Sequence, residues 1–165
     1  MKLYHGGMIA VEKPVLITPT SIDHTTDFGN GFYTTTDLKQ AKRWVQIRRE
    51  RYQTGGGVVS IFETDDNLLY DKELNCLVFK EANKNWLEFI MQNRSDKNYS
   101  HDYDIVFGPV ANDRVYASLT LFENDFLDVA ETIRRLKTYK LTNQILFHTE
   151  KSLQNLIYIG NEEIT

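Results

Sequence analysis

Asp27-Phe28-Gly29-Asn30-Gly31-Phe32-Tyr33-Thr34-Thr35 is the stretch on which the fold class turns. Two glycines around Asn30 make a turn that exposes backbone, because neither carries a Cβ. The residues that follow are aromatic or β-branched, so Phe32 to Thr35 read as a strand that carries Tyr33. Thr36 then supplies an N-cap and Asp37 a first turn. After them Leu38, Ala41, Trp44, Val45 and Arg48 repeat at helical spacing, so a helix is expected to about Tyr52. The Gly-x-Gly is not a phosphate loop, since neither Gly-x-x-x-x-Gly-Lys nor Gly-x-Gly-x-x-Gly is completed.

Outward from this stretch, Leu3-Tyr4-His5 is a short strand ending at Gly6-Gly7, and a loop-rich segment runs through Pro14, Pro19 and Asp27. Gly55-Gly56-Gly57 is a flexible break before a strand at Val58–Glu63. A helix is expected over Asn85–Asn93, and a strand at Tyr103–Phe107 stops at Gly108-Pro109. Helices follow at Arg114–Phe122 and Asp125–Tyr139, and strands at Asn143–His148 and Leu156–Ile159. Short strands and helices interspersed without a regular βαβ rhythm define an α+β class and exclude a doubly wound dinucleotide fold.

The chain has 165 residues, which argues for one domain over 1–165. Nineteen basic against 23 acidic side chains give a net charge of −4, which disfavours the broad basic footprint of a passive nucleic-acid binder. The run Lys39, Lys42, Arg43, Arg48, Arg49 and Arg51 reads as a solvated helix face or as a local phosphate contact, with Lys39, Lys42 and Arg43 nearest the turn. A single cysteine, Cys76, forms no intramolecular disulfide and reads as a small apolar residue. His24, His101 and His148 lack an i,i+4 partner or cysteine companion, so no metal is expected. Neither a signal-like apolar run nor a membrane-length one is present, and a cytoplasmic protein with no membrane partner is expected.

Leu3-Tyr4-His5-Gly6-Gly7, then Phe28-Gly29-Asn30-Gly31-Phe32-Tyr33, then Ala41 and Trp44 at eight and eleven positions beyond Tyr33, together resemble a known enzyme core. They are similar to the NAD-binding core of the diphtheria-toxin and poly(ADP-ribose) polymerase branch of ADP-ribosyltransferases, which carries a His-Tyr-Glu triad. A closer resemblance, through Asp27–Thr35, Asp104–Ala111 and Asn143–Lys151, is to a bacterial family of unknown function. Together the two cover nearly the whole chain.

This resemblance implies a split β core with a central NAD cleft flanked by helices, and an NAD-dependent mono-ADP-ribosyltransferase activity. It implies that His5 bonds the nicotinamide-side ribose, that Gly6 backbone beside Gly7 grips the carboxamide, and that Tyr33 and Trp44 sandwich the ring. Phe32, Thr34 and Ala41 fall at the flanking cofactor-binding positions. The third triad position falls on Gln144, where the polymerase branch has glutamate. The partners implied are NAD as substrate, a macromolecular acceptor, protein before nucleic acid, and a small antitoxin protein that neutralises a bacterial toxin.

The chemistry sets what these residues must do. Cleaving nicotinamide from ribose passes through an oxocarbenium-like state, and nicotinamide leaves already cationic, so positioning and electrostatics carry the work. An amide at Gln144 can bond a ribose hydroxyl but holds no charge. A base could therefore come from Glu150 or Asp113. The alternatives are a weak NAD- or ADP-ribose-binding module and an NAD glycohydrolase. Residue pattern leaves three points open: which of Phe32 and Tyr33 faces the core, whether Trp44 is core, and whether Gln144 faces solvent.

Overall fold

The strands expected at Leu3–His5 and Phe32–Thr35 lie in different sheets, which touch at their edges. A computed structural model describes residues 1–16, 26–96, 98–111, 113–138 and 140–165, without the side chains of Asp113 and Arg114. The loop segment through Pro19 and His24 lies outside the described residues. Strand β1 (Lys2–Gly7) pairs antiparallel with β3 (Gly57–Glu63), which pairs in turn with β7 (Ile157–Ile164). The second sheet contains β2 (Phe32–Thr34), β4 (Cys76–Val78), β5 (Ile105–Pro109) and β6 (Asn143–Phe147) in the order β2-β6-β5-β4, with β4 parallel to β5. Its edge strand meets the first sheet at one bridge, where Tyr4 N donates to Thr35 O at 2.8 Å and Thr35 N to Tyr4 O at 3.0 Å.

Alternation along β5 and β6 assigns the two faces of that sheet. Ile105, Ile145 and Phe147 point into a core shared with Phe32 of the neighbouring β2 and with Leu3 and Phe62 of the other sheet. Val106 and Leu146 point the other way, into a core built with Phe28, Trp86, Ile90, Val115, Leu119 and Leu136. Each such side chain contributes about 1.5–3 kcal/mol on burial. Five helices cover the sheets among the described residues: α1 (Leu38–Tyr52), α2 (Lys84–Ser95), α3 (Asp113–Glu123), α4 (Val129–Leu136) and α5 (Glu150–Leu153). The molecule is thus a mixed α+β domain, and no helix among the described residues is long and apolar enough to cross a membrane.

Helix α1 lies against β1 and β3 through Ala41, Val45 and Val59. Its approach is closest at Gly6, where a Cβ would stand 2.2 Å from the carbonyl oxygen of Ala41. The helix begins one residue later than expected, because Asp37, not Thr36, is the cap: its Oδ1 accepts from Lys39 N at 2.8 Å and Gln40 N at 3.3 Å. The single helix expected over Asp125–Tyr139 is instead a turn and a shorter helix. Asp125 takes a φ of 60°, and Asp128 caps α4 by accepting from Glu131 N at 2.8 Å. Strand β4 is absent from the sequence expectation, and β7 runs five residues past Ile159.

Candidate active site

His5 reaches its position because β1 ends beside β2. Its ring stacks on Phe32, with centroids 4.3 Å apart and planes 25° from parallel. Nδ1 lies 2.7 Å from Tyr33 O. A carbonyl can only accept, so Nδ1 carries the proton and Nε2 is left as a lone-pair acceptor. Burial lowers the His5 pKa to about 4, the Tyr33 carbonyl opposing and Arg48 adding to the effect. The imidazole is therefore neutral near pH 7.

The turn before β2 is fixed by glycine and by Tyr33. Gly31 has φ +147°, and a Cβ there would stand 2.4 Å from Phe147 O. The Tyr33 hydroxyl donates to Gly29 O at 2.6 Å and accepts from Phe28 N at 3.1 Å, which staples the turn to the strand that follows it. Burial raises the Tyr33 pKa, so the phenol keeps its proton. The strand's alternation is thereby settled: Phe32 enters the core between the sheets, and Tyr33 faces the opposite side.

His5, Tyr33, Trp44 and Gln144 all line one cavity of about 600 Å³, a volume suited to a dinucleotide-sized or smaller ligand. Trp44 is half-buried and belongs to no core cluster, so its cavity face is its environment. Gln144 is 5% exposed, which removes the solvent-facing alternative. The arginines on the cavity wall are Arg43, Arg48 and Arg51. Lys39 and Lys42 are not among its lining residues, and Lys42 instead pairs with Glu162 of β7 at 2.5 Å.

Gly6, Gly7, Phe32, Thr34 and Ala41 lie behind the cavity and not on its lining. Gly6 and Ala41 are the contact between α1 and β1, Phe32 supports the His5 ring, and Thr34 donates to Ile145 O at 3.4 Å. A Cβ on Gly7 would stand 3.3 Å from His5 Nε2. Glu150 opens α5 away from the lining, and the Asp113 side chain lies outside the described residues. Among the described residues no group of three or more His, Cys, Asp or Glu side chains could hold a metal ion.

Three residues of the site were missed in the sequence. Asp27, 7% exposed, lines the cavity and accepts from Gln144 Nε2 at 3.3 Å. Tyr116 on α3 lines it as well, its hydroxyl 3.5 Å from Asp27 Oδ1. Arg94 on α2 stands behind, its Nη1 3.8 Å from the same oxygen and its guanidinium 4.8 Å above the Tyr116 ring. Burial raises the Asp27 pKa, opposed by Arg94, Gln144, Tyr116 and the Ala111 N–H. Tyr116 is raised to about 12 by burial and by the Asp27 charge. Asp27 and Gln144 are 117 residues apart, so no local spacing announces the pair.

No curated protein and no solved structure matches the chain. A family model matches it over residues 1–158, with the description Protein of unknown function (DUF3990).

Proposed function

The chain belongs to the DUF3990 family, whose function is unknown, and we propose that it is an NAD-dependent mono-ADP-ribosyltransferase acting on a macromolecule. One observation carries this reading. Four residues from four separate places in the chain, His5, Tyr33, Trp44 and Gln144, converge on a single cavity with three arginines on its wall. A pyrophosphate-bearing ligand fits that donor set, since the arginines supply charge and His5 Nε2 supplies an acceptor for a sugar hydroxyl.

In this mechanism Tyr33 and Trp44 hold the planar, electron-poor nicotinamide ring. His5, neutral, accepts from one ribose hydroxyl, and Gln144 Oε1 accepts from another, which fixes C1′ for attack. The bond between C1′ and the nicotinamide nitrogen breaks, its electron pair leaving with nicotinamide, while a nucleophile of the acceptor bonds to C1′ and releases its proton to solvent water in the open cavity. The resemblance of the sequence to toxin families extends the proposal to a bacterial toxin with a small protein antitoxin, and the ADP-ribosyltransferase fold belongs to the same proposal.

Incubation with NAD labelled in its adenylate half, with and without bacterial lysate and beside His5→Ala, tests the reading. Label that becomes macromolecular with wild type alone establishes transfer, and protease or nuclease digestion identifies the acceptor class. Free ADP-ribose without lysate makes the protein a glycohydrolase. The uncharged Gln144 favours one second reading, an NAD- or ADP-ribose-binding module; calorimetry showing NAD binding with no nicotinamide release selects it.

A further inference from the structure

Gln144 stands where the charge of a carboxylate would serve the chemistry, yet a carboxylate lies one hydrogen bond behind it. Asp27 is surrounded by donors from separate parts of the fold. Gln144 Nε2 on β6 reaches Oδ2 at 3.3 Å, the Tyr116 hydroxyl on α3 and Arg94 Nη1 on α2 stand 3.5 and 3.8 Å from Oδ1, and the Ala111 N–H also faces the group. Arg94 does not close on Asp27 as a fork: its Nε donates to Glu123 at 3.1 Å, and its Nη1 is buried with no hydrogen-bond partner. A pair built for stability alone would use that guanidinium directly, because bidentate contact is the strong geometry.

An amide can be turned two ways, and the charge beside it decides between them. Nε2 toward an ionised carboxylate is attractive, whereas Oε1 toward it sets two acceptors against each other in a site largely shut off from water. When ionised, Asp27 therefore selects one orientation; burial, which raises its pKa, narrows the pH range over which it does so. In that orientation no donor among the described residues occupies Oε1, although Gln144 lines the cavity, and a ligand hydroxyl can take the place.

We propose that Asp27 is the positioning residue for Gln144, holding Nε2 so that Oε1 is presented to a sugar hydroxyl and supplying through the amide the negative charge that Gln144 lacks. The inference rests on the proposed cleavage of NAD in this cavity. No proton passes through the pair; its charge faces the positive charge that develops at C1′ as nicotinamide leaves. Asp27 and Gln144 together occupy the electrostatic role of one glutamate.

Two measurements test this. In wild type, the side-chain amide resonances of Gln144, identified by their loss in Gln144→Glu, are expected to move with pH as Asp27 titrates and to be pH-independent in Asp27→Asn. An amide in wild type that ignores pH overturns the pairing whether or not the protein turns over. In nicotinamide release, Asp27→Asn is expected to lower kcat about a hundredfold, with KM for NAD within about threefold. The exchange Asp27→Asn with Gln144→Glu, which returns one carboxylate with an amide behind it, is expected to recover at least tenfold of that loss. Wild-type kcat in Asp27→Asn overturns the role, as does an exchanged variant, shown to be folded by its melting transition, that is no faster than Asp27→Asn. A wild-type protein that shows the amide titration but neither binds NAD nor releases nicotinamide leaves the pair standing and overturns the enzyme it was to serve.

Discussion

His5 is a buried neutral imidazole, and that state has a consequence for stability. The unfolded chain takes up a proton near the ordinary histidine value of about 6.5, the folded chain only near 4. Acid therefore favours unfolding across that window: stability falls as pH is lowered from about 6.5 and the loss is complete below about 4. His101, also lowered by burial, contributes with the same sign. Denaturant titrations of wild type and His5→Ala as a function of pH are expected to differ in slope inside this window and to run parallel above it. Trp44 tests the site itself. If it stacks on nicotinamide, Trp44→Ala weakens NAD binding by about 0.5–1.5 kcal/mol beyond the area lost, with an unchanged melting temperature; a folding defect instead assigns it to the core. These residues were legible because each belongs to a short local motif. Asp27 lies within such a motif, but the motif does not show its role, since the partner that gives it one lies on a strand more than a hundred residues away.

At the scale of elements, the approach of α1 to β1 depends on one missing side chain. Gly6→Ala places a methyl against the Ala41 carbonyl oxygen, backbone that cannot step aside. It is expected to cost about 3 kcal/mol and to weaken NAD binding together with stability, because Trp44 rides on the displaced helix; a thermal melt beside an NAD titration checks both. Helix α1 was readable from its stripe, but its cap was placed a residue early. Thr36 is spent elsewhere, its N–H and hydroxyl both within 3.1 Å of Asn143 Oδ1. The single helix expected over Asp125–Tyr139 is divided by a left-handed residue at Asp125 and a cap at Asp128, which look, in sequence, like two more acidic residues of a polar face. Strand β4 has only three residues and no fully buried one, too little for alternation to register.

At the scale of the whole molecule, a net charge of −4 coexists with three arginines on one cavity wall. NAD affinity is accordingly expected to fall as salt is raised, by a factor that Arg48→Gln or Arg51→Gln reduces, measured by calorimetry at two ionic strengths. Expression in bacteria is expected to arrest growth with wild type and to spare it with His5→Ala; equal growth of both removes the toxin proposal. The α+β class and the broad order of elements were legible from composition and periodicity. The division into two sheets was not derivable from periodicity, since which strands neighbour one another is decided by contacts distant in sequence.

Strand β6 pairs with β2 on one side and β5 on the other, and it carries Gln144. During synthesis Gln144 follows Tyr33 by 111 residues, and β2 has no other neighbour in its sheet to wait beside. At the ordinary pace of about 5–20 residues per second, the nascent chain spends several seconds with His5, Tyr33 and Trp44 already made and no cleft for them to share. The cavity is complete only once β6 has been made and has paired with both neighbours.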